Sequence, residues 1–348
     1  MFPFLLSIIS MMSLILADSN REYFNSLINH INNQSTGYKW TAKLHSTFNY
    51  DLPHHLKVKA GTFFDPSDTN FRNYTSSPDN QHNNNNLHRL LQTLPSSLDL
   101  RLKFPLCSSI WTIRDQGNCS SCWALAAMNT LSDRFCIQKS NSTSTVQREF
   151  SYEDIIECCP NSICGSKGNG CNGGSASGGF NYAQNVGVVT GAGFGNNKYC
   201  KSYFLSPTFQ ATPIVPFCTS TCSNNTVYKT PYSADNLKIS SSKQIFDSNL
   251  NNTVLLTMNA LNIRGTVQAF MLVYQDFFTY SSGVYHHVTG EYVGAHLIRI
   301  IGYGTLNGVD YWLCANTWGT SWGINGFFMI KRGVNESMIE GYLLDAYL

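Results

Sequence analysis

The chain has 348 residues, a formal net charge of +2 at neutral pH, and 43% hydrophobic with 13% aromatic residues. That supplies ample material for a large core. The near-neutral balance, with no basic run, excludes a nucleic-acid binder, and no phosphate-cradling glycine loop or His/Glu zinc spacing is present.

In chain order, Phe2 to Ala17 is apolar apart from serines and a proline, then turns polar at Asp18-Ser19-Asn20-Arg21. At about sixteen residues it is short of the ~20 that a membrane span needs. Residues 1–17 therefore read as a cleaved signal peptide, and the mature chain keeps no membrane anchor. Residues 18–93 read as a removable segment. It carries two apolar blocks, Thr36–Ala42 and Leu56–Phe63, and an asparagine run within Ser76–His88 that suits a protease-accessible linker. A mere solvating spacer would have no use for the apolar blocks.

All 12 cysteines lie between Cys107 and Cys314. On a secretory route disulfides are the default, with connectivity left open. Cys158, Cys159, Cys164 and Cys171 have no nearby histidine, so no zinc spacing forms. Cys122 sits in Gln116-Gly117-Asn118-Cys119-Ser120-Ser121-Cys122-Trp123, ahead of Leu125, Met128, Leu131 and Phe135, the spacing of one buried helix face. Ser120 or Ser121 can cap that helix. Cys122 then falls in its first turn, where the dipole favours a thiolate and lowers its pKa. A second helix is expected near Tyr152–Glu157, and strands dominate from Val267 onward. His296 lies in one apolar, glycine-closed run and Asn316 in another that ends in Asn-Thr-Trp-Gly. A thiol nucleophile needs such a base and an orienting group. Taken singly, Cys122 reads more readily as half of a disulfide, His296 as a core histidine, and Gly173-Gly174 as turn glycines.

Together these blocks resemble the papain family of cysteine proteases, whose local signature is C-G-[SA]-C-[WY] with His and Asn far downstream; here Ser120 stands at the signature's glycine. The resemblance implies an α+β fold in two lobes, a helical one carrying Cys122 and a β-barrel-like one carrying His296 and Asn316, in a peptidase domain over residues 94–348. It implies Cys122 as nucleophile, His296 as acid–base partner in a thiolate–imidazolium pair, Asn316 as orienter and Gln116 as oxyanion donor. Trp318 would shield the Asn–His bond, and Gly173-Gly174 would pair with extended substrate.

The stretch Leu94–Cys136 is similar to the start of mature cathepsin B. That branch implies the disulfides Cys107–Cys136, Cys119–Cys171, Cys158–Cys218, Cys159–Cys164 and Cys200–Cys222, leaving Cys122 and Cys314 free. Residues 18–93 are similar to its short inhibitory propeptide, which runs through the cleft against the direction of substrate. The branch's occluding loop, whose histidine pair grips a C-terminal carboxylate, corresponds to Cys200–Cys218. Here it is shortened and contains no histidine, so endopeptidase activity is expected. His286-His287 follow an expected surface strand and read as structural. Phe270, Leu297 and Tyr342 fall around the S2 pocket, where two small residues and an acid stand in cathepsin B; a shallow apolar pocket that rejects arginine follows. Ser120 replaces a glycine and could crowd the cleft or demand a positive φ.

The implied partners are polypeptide substrates, the chain's own propeptide and cystatin-like inhibitors, with no cofactor and no metal. The location is the secretory pathway, in a lysosome- or vacuole-like compartment or outside the cell. Sequons at Asn33, Asn73, Asn141, Asn224, Asn251 and Asn335 are compatible with glycosylation. A second reading stays open: a papain-fold protein, weak or inactive as a catalyst, that binds peptides because Ser120, Phe270 and Leu297 obstruct the cleft.

Overall fold

A computed structural model describes residues 20–33, 39–48, 50, 53–63, 93–140, 144–165, 170–209, 211–223 and 227–348. The leader, the asparagine-rich linker, the start of the first apolar block and the sequons at Asn73, Asn141 and Asn224 lie outside these residues.

The elements that position the site are β1 (Trp40–Ala42), α1 (Pro53–Val58), β2 (Thr62–Phe63), β3 (Leu98–Asp99), α2 (Cys122–Lys139), α3 (Tyr152–Cys158), β4 (Gly174–Ser175), α4 (Gly178–Asn185), β5 (Ser241–Ile245), α5 (Leu250–Arg264) and β6 (Val267–Tyr274). They continue with β7 (Tyr280–Tyr285), β8 (Tyr292–Leu306), β9 (Val309–Ala315), β10 (Phe327–Lys331) and β11 (Leu343–Tyr347). One sheet runs in the order β1-β7-β10-β9-β8-β6-β11-β5, with β2 joining β8 to β4 and β3 lying on β8. The fold is α+β in two lobes.

The lobes have separate cores that meet at β8. Ala295 and Leu297 belong to the helical core with Trp123, Leu125 and Phe180, while Ile298 and Ile300 belong to the sheet core with Trp312 and Phe328. A strand buried on both faces must be apolar throughout, which explains the unbroken run around His296. Helix α2 departs from its expected one-sided burial: Trp123, Ala124, Ala127 and Thr130 are as buried as Leu125, Met128 and Leu131, whereas Phe135 is only partly so. It lies between lobes, packed on α3 and α4 on one side and on β6 and β8 on the other, so it has no wet face. A fully buried pair, Arg299 Nη1 to Asp133 Oδ2 at 2.6 Å, ties α2 to β8. Removing either partner would strand a buried charge, typically a cost of about 3–5 kcal/mol.

Five disulfides join Cys107–Cys136, Cys119–Cys171, Cys158–Cys218, Cys159–Cys164 and Cys200–Cys222, the pairs the resemblance implies. Cys122 and Cys314 are free and buried, the latter on β9. Residues 40–48 dock on the sheet lobe at the far end of the sheet. There β1 pairs with β7, and Phe48 packs edge-on to Trp318 with ring centroids 5.3 Å apart.

Candidate active site

Cys122 is the first residue of α2 and Ser121 holds the N-cap position, but its hydroxyl caps nothing. It bonds instead to Tyr203 Oη at 3.0 Å, and Tyr203 donates onward to the Gln116 carbonyl at 2.8 Å. The tyrosine, itself part of the helical core, thus fixes the loop ahead of the nucleophile. Gln116 is locked from the other lobe: its Oε1 accepts from Thr317 Oγ1 at 2.7 Å, and its backbone N–H donates to the Thr317 carbonyl at 2.9 Å. With Oε1 so engaged, Nε2 must point toward Cys119 and the cleft, where it donates to the Cys119 carbonyl at 2.9 Å.

His296 sits on β8, fully buried, with Nε2 bonded to Asn316 Oδ1 at 2.7 Å. That oxygen also accepts from the Thr317 N–H at 2.7 Å, which fixes the amide so that its oxygen faces the ring. An oxygen only accepts, so Nε2 carries the proton and the neutral ring keeps a lone pair on Nδ1. Nδ1 is buried and makes no hydrogen bond. The indole of Trp318 lies 4.9 Å from the imidazole, closing off water on that side. The Cys122 thiol lies near the backbone of Leu297, the residue after His296, and makes no hydrogen bond to the His296 Nδ1.

Residues 58–62 cover this site. Val58 presents its carbonyl to Gln116 Nε2 at 3.2 Å and to Ser120 Oγ at 3.0 Å. Trp318 Nε1 donates to the Lys59 carbonyl at 3.2 Å. Beyond the sulfur, Thr62 pairs in parallel with Gly174 and antiparallel with Ala295. Thr62 Oγ1 also donates to the Gly174 carbonyl at 2.9 Å. Gly61 passes over Ser120 so closely that an added Cβ would lie 2.3 Å from the Ser120 Cβ. Ser120 itself has no positive φ, so the feared strain is absent; the crowding falls on Gly61 instead.

Burial under this cover reverses the expected ionisation. Desolvation pushes the Cys122 thiol up to about 11, against hydrogen bonds from the backbones of Leu297, Gly61, Trp123 and Cys122 itself. Desolvation likewise holds His296 down to about 4, opposed by the Asn316 bond and reinforced by the Lys59 charge. In the covered chain both groups are neutral at pH 7, and the thiolate–imidazolium pair does not form.

Residues 94–345 match the family model described as papain family cysteine protease. The chain belongs to that family. It is 40% identical over 259 residues to cathepsin B-like cysteine proteinase 3 of Caenorhabditis elegans, covering 72% of this chain and 65% of that relative. It is 38% identical over 266 residues to a cathepsin B-like cysteine proteinase of Schistosoma japonicum, covering 73% of each. Among solved structures, procathepsin B S9 from Trypanosoma congolense is similar with a TM-score of 0.74 and 27% identity, covering 92% of this chain and 97% of that one. A procathepsin L 3 from Tenebrio molitor, at 18% identity and TM-score 0.65, shares the fold.

The remaining papain-family positions fall as follows. Gly173 has φ +96°, and a Cβ on Gly174 would lie 2.5 Å from the Trp123 ring, so both must be bare. Phe270 and Leu297 are register partners on β6 and β8, the Phe270 N–H donates to the Tyr342 carbonyl at 3.0 Å, and all three side chains are buried. In the segment after Cys200, the Lys201 ammonium is sequestered by Glu157 at 2.8 Å, Asp154 at 3.1 Å and the Thr219 carbonyl at 2.7 Å. Asn118 Nδ2 fastens the segment by the Ala211 carbonyl at 2.8 Å. His286 and His287 lie past β7; His287 stacks on Tyr274 at 3.8 Å and bonds Asp276 at 3.1 Å, a structural role. Sequence reasoning missed Thr317, Tyr203 and the Lys59–Asp115 contact. Only Thr317, inside the Asn-Thr-Trp-Gly turn, carried a local signal.

Proposed function

We propose that the chain is a cysteine endopeptidase made as an inhibited precursor on the secretory route. Once residues 18–93 leave, His296 Nδ1 takes the Cys122 proton and the thiolate attacks a substrate carbonyl. The oxyanion is received by Gln116 Nε2 and the Cys122 N–H. The imidazolium, held by Asn316, returns the proton to the leaving amine as the C–N bond breaks, and water then cleaves the acyl-enzyme with His296 as base. The observation that carries this reading is the oriented imidazole with an unpartnered Nδ1, together with a buried, unbridged cysteine near the backbone of the next residue, Leu297. The inhibitory role of the segment is supported by β2 running parallel to β4, a direction opposite to that of an antiparallel substrate. Five disulfides suit an oxidising compartment.

Endopeptidase action is supported by the segment after Cys200. Its Lys201 is consumed internally, and residues 202–218 contain no Lys, Arg or His to hold a terminal carboxylate. The processed chain should turn over internally quenched, end-blocked peptides faster than it releases C-terminal dipeptides, and Cys122→Ala should lose both activities. Dominant dipeptide release would overturn the reading.

The burial of Phe270, Leu297 and Tyr342 supports a shallow apolar S2 pocket. Leucine or valine should be preferred there and arginine rejected, because an unpaired guanidinium is costly to bury. Tyr342→Glu should raise the arginine-to-leucine ratio in kcat/KM by about tenfold, equivalent to about 1.4 kcal/mol. A wild-type profile led by arginine contradicts it.

A further inference from the structure

Lys59 carries a cation into the cleft. It is 8% exposed. Its ammonium donates to the Gly117 carbonyl at 2.9 Å and lies 3.5 Å from Asp115 Oδ1. Asp115 is held for this contact: Oδ1 also accepts the Gly117 N–H at 2.8 Å. Its neighbour Arg114 is engaged elsewhere, with Glu149. A Cβ at Gly319 would lie 2.7 Å from Asp115 Oδ2, so glycine there leaves the carboxylate uncapped. Asp115 also lines a cavity of about 410 Å³, with Arg114, Phe194, Pro207 and Gly319.

The position of this cradle relative to the sulfur follows from the covering segment itself. Thr62 pairs with Gly174, Gly61 lies over Ser120, and Lys59 reaches Gly117, Asp115 and Trp318. If the acyl side of a substrate pairs with Gly174, the carboxylate of Asp115 stands across the nucleophile, on the leaving-group side. Departure of the segment removes the ammonium and leaves a carboxylate and a carbonyl aimed at an empty space of side-chain size.

We propose that Asp115 and the Gly117 carbonyl form a cation-binding subsite on the leaving-group side of the cleft, filled by Lys59 in the covered chain and by a substrate lysine or arginine after processing. The placement on the leaving-group side rests on the peptidase reading; the cation site itself does not. The ammonium's hydrogen bond to the Gly117 carbonyl at 2.9 Å is charge-assisted and so stronger than a neutral one, and the carboxylate at 3.5 Å adds Coulombic attraction.

The test has two arms, both with the chain processed from its full-length precursor. In the first, end-blocked quenched peptides differ only at the two residues after the scissile bond, with lysine, arginine, norleucine or glutamate. The kcat/KM ratio of lysine to norleucine should be at least about fivefold, with glutamate poorest, and should fall to about one in Asp115→Asn. Asparagine keeps an oxygen for the Gly117 N–H, so the loop is preserved. In the second arm, a synthetic peptide of residues 53–63 is titrated onto processed Cys122→Ala, with lysine or norleucine at position 59. Norleucine should weaken binding at least about fivefold, and this difference should vanish when Asp115→Asn is added. A lysine-to-norleucine ratio that Asp115→Asn leaves unchanged in either arm overturns the subsite. If the processed wild type cleaves none of the peptides, the peptidase reading falls and the binding arm alone decides the cation site.

Discussion

Iodoacetamide should alkylate Cys122 in the covered chain at pH 7 on the order of 10³-fold more slowly than in the processed chain. With the thiol at about 11, only roughly one molecule in 10⁴ is a thiolate at pH 7. A cysteine at a solvated helix N-terminus beside an imidazole has a pKa between ~3.5 and ~7.5, so about a quarter or more is ionised at pH 7. The sign gives a further check. A raised thiol pKa makes the covered chain's rate climb about tenfold per pH unit from 7 to 9, whereas the processed chain should be nearly flat. Gly61→Ala should close part of the gap, because its Cβ would meet the Ser120 backbone at 2.5 Å, where nothing flexible can give way. Overpacking of that kind costs about 1–3 kcal/mol, enough to speed labelling of the covered chain by about ten- to a hundredfold. Equal rates and equal pH slopes before and after processing would show that the segment does not control the thiol.

Gln116→Ala should lower kcat of the processed chain by about 10²–10³, the usual loss for one oxyanion donor, with KM little altered. The amide is prepared for this by Thr317, which holds Oε1 and so aims Nε2. A purely structural role would disturb the thiol as well. Alkylation by iodoacetamide develops no oxyanion, so it should fall far less than turnover. A parallel collapse of both, or a change confined to KM, would remove Gln116 from the proposed mechanism.

The proposed catalytic set was legible because each member sits in a short run with its own signal: Cys122 ahead of a helix period, His296 in an apolar run, Asn316 at a turn. Helix α2 was found, but its immersion was not, since burial on all sides depends on a β8 strand that comes more than a hundred residues later. Helix α5 went unread although its marks are local: Asn249 caps the Asn251 N–H at 2.9 Å, Val254, Leu255, Met258 and Leu261 form its apolar face, and Gly265 ends it at φ +106°. The segment after Cys200 has no periodicity, so Tyr203 gave no hint that it supports Ser121 and Gln116. Lys59 and Asp115 each look like ordinary solvated charges, and only the folded path of the segment brings them together. The disulfide partners were open by residue counting and became definite only through the resemblance.

On the proposed reading, the parallel alignment of β2 with β4 makes self-protection a matter of chain polarity. A leash threaded backwards fills the groove without offering a bond in the sense the machinery reads, so it needs no special blocking group. Substitution of most of its side chains should then leave the cover in place, while replacing Gly61, which has no room for a Cβ, or Lys59, which is held by Gly117 and Asp115, should loosen it.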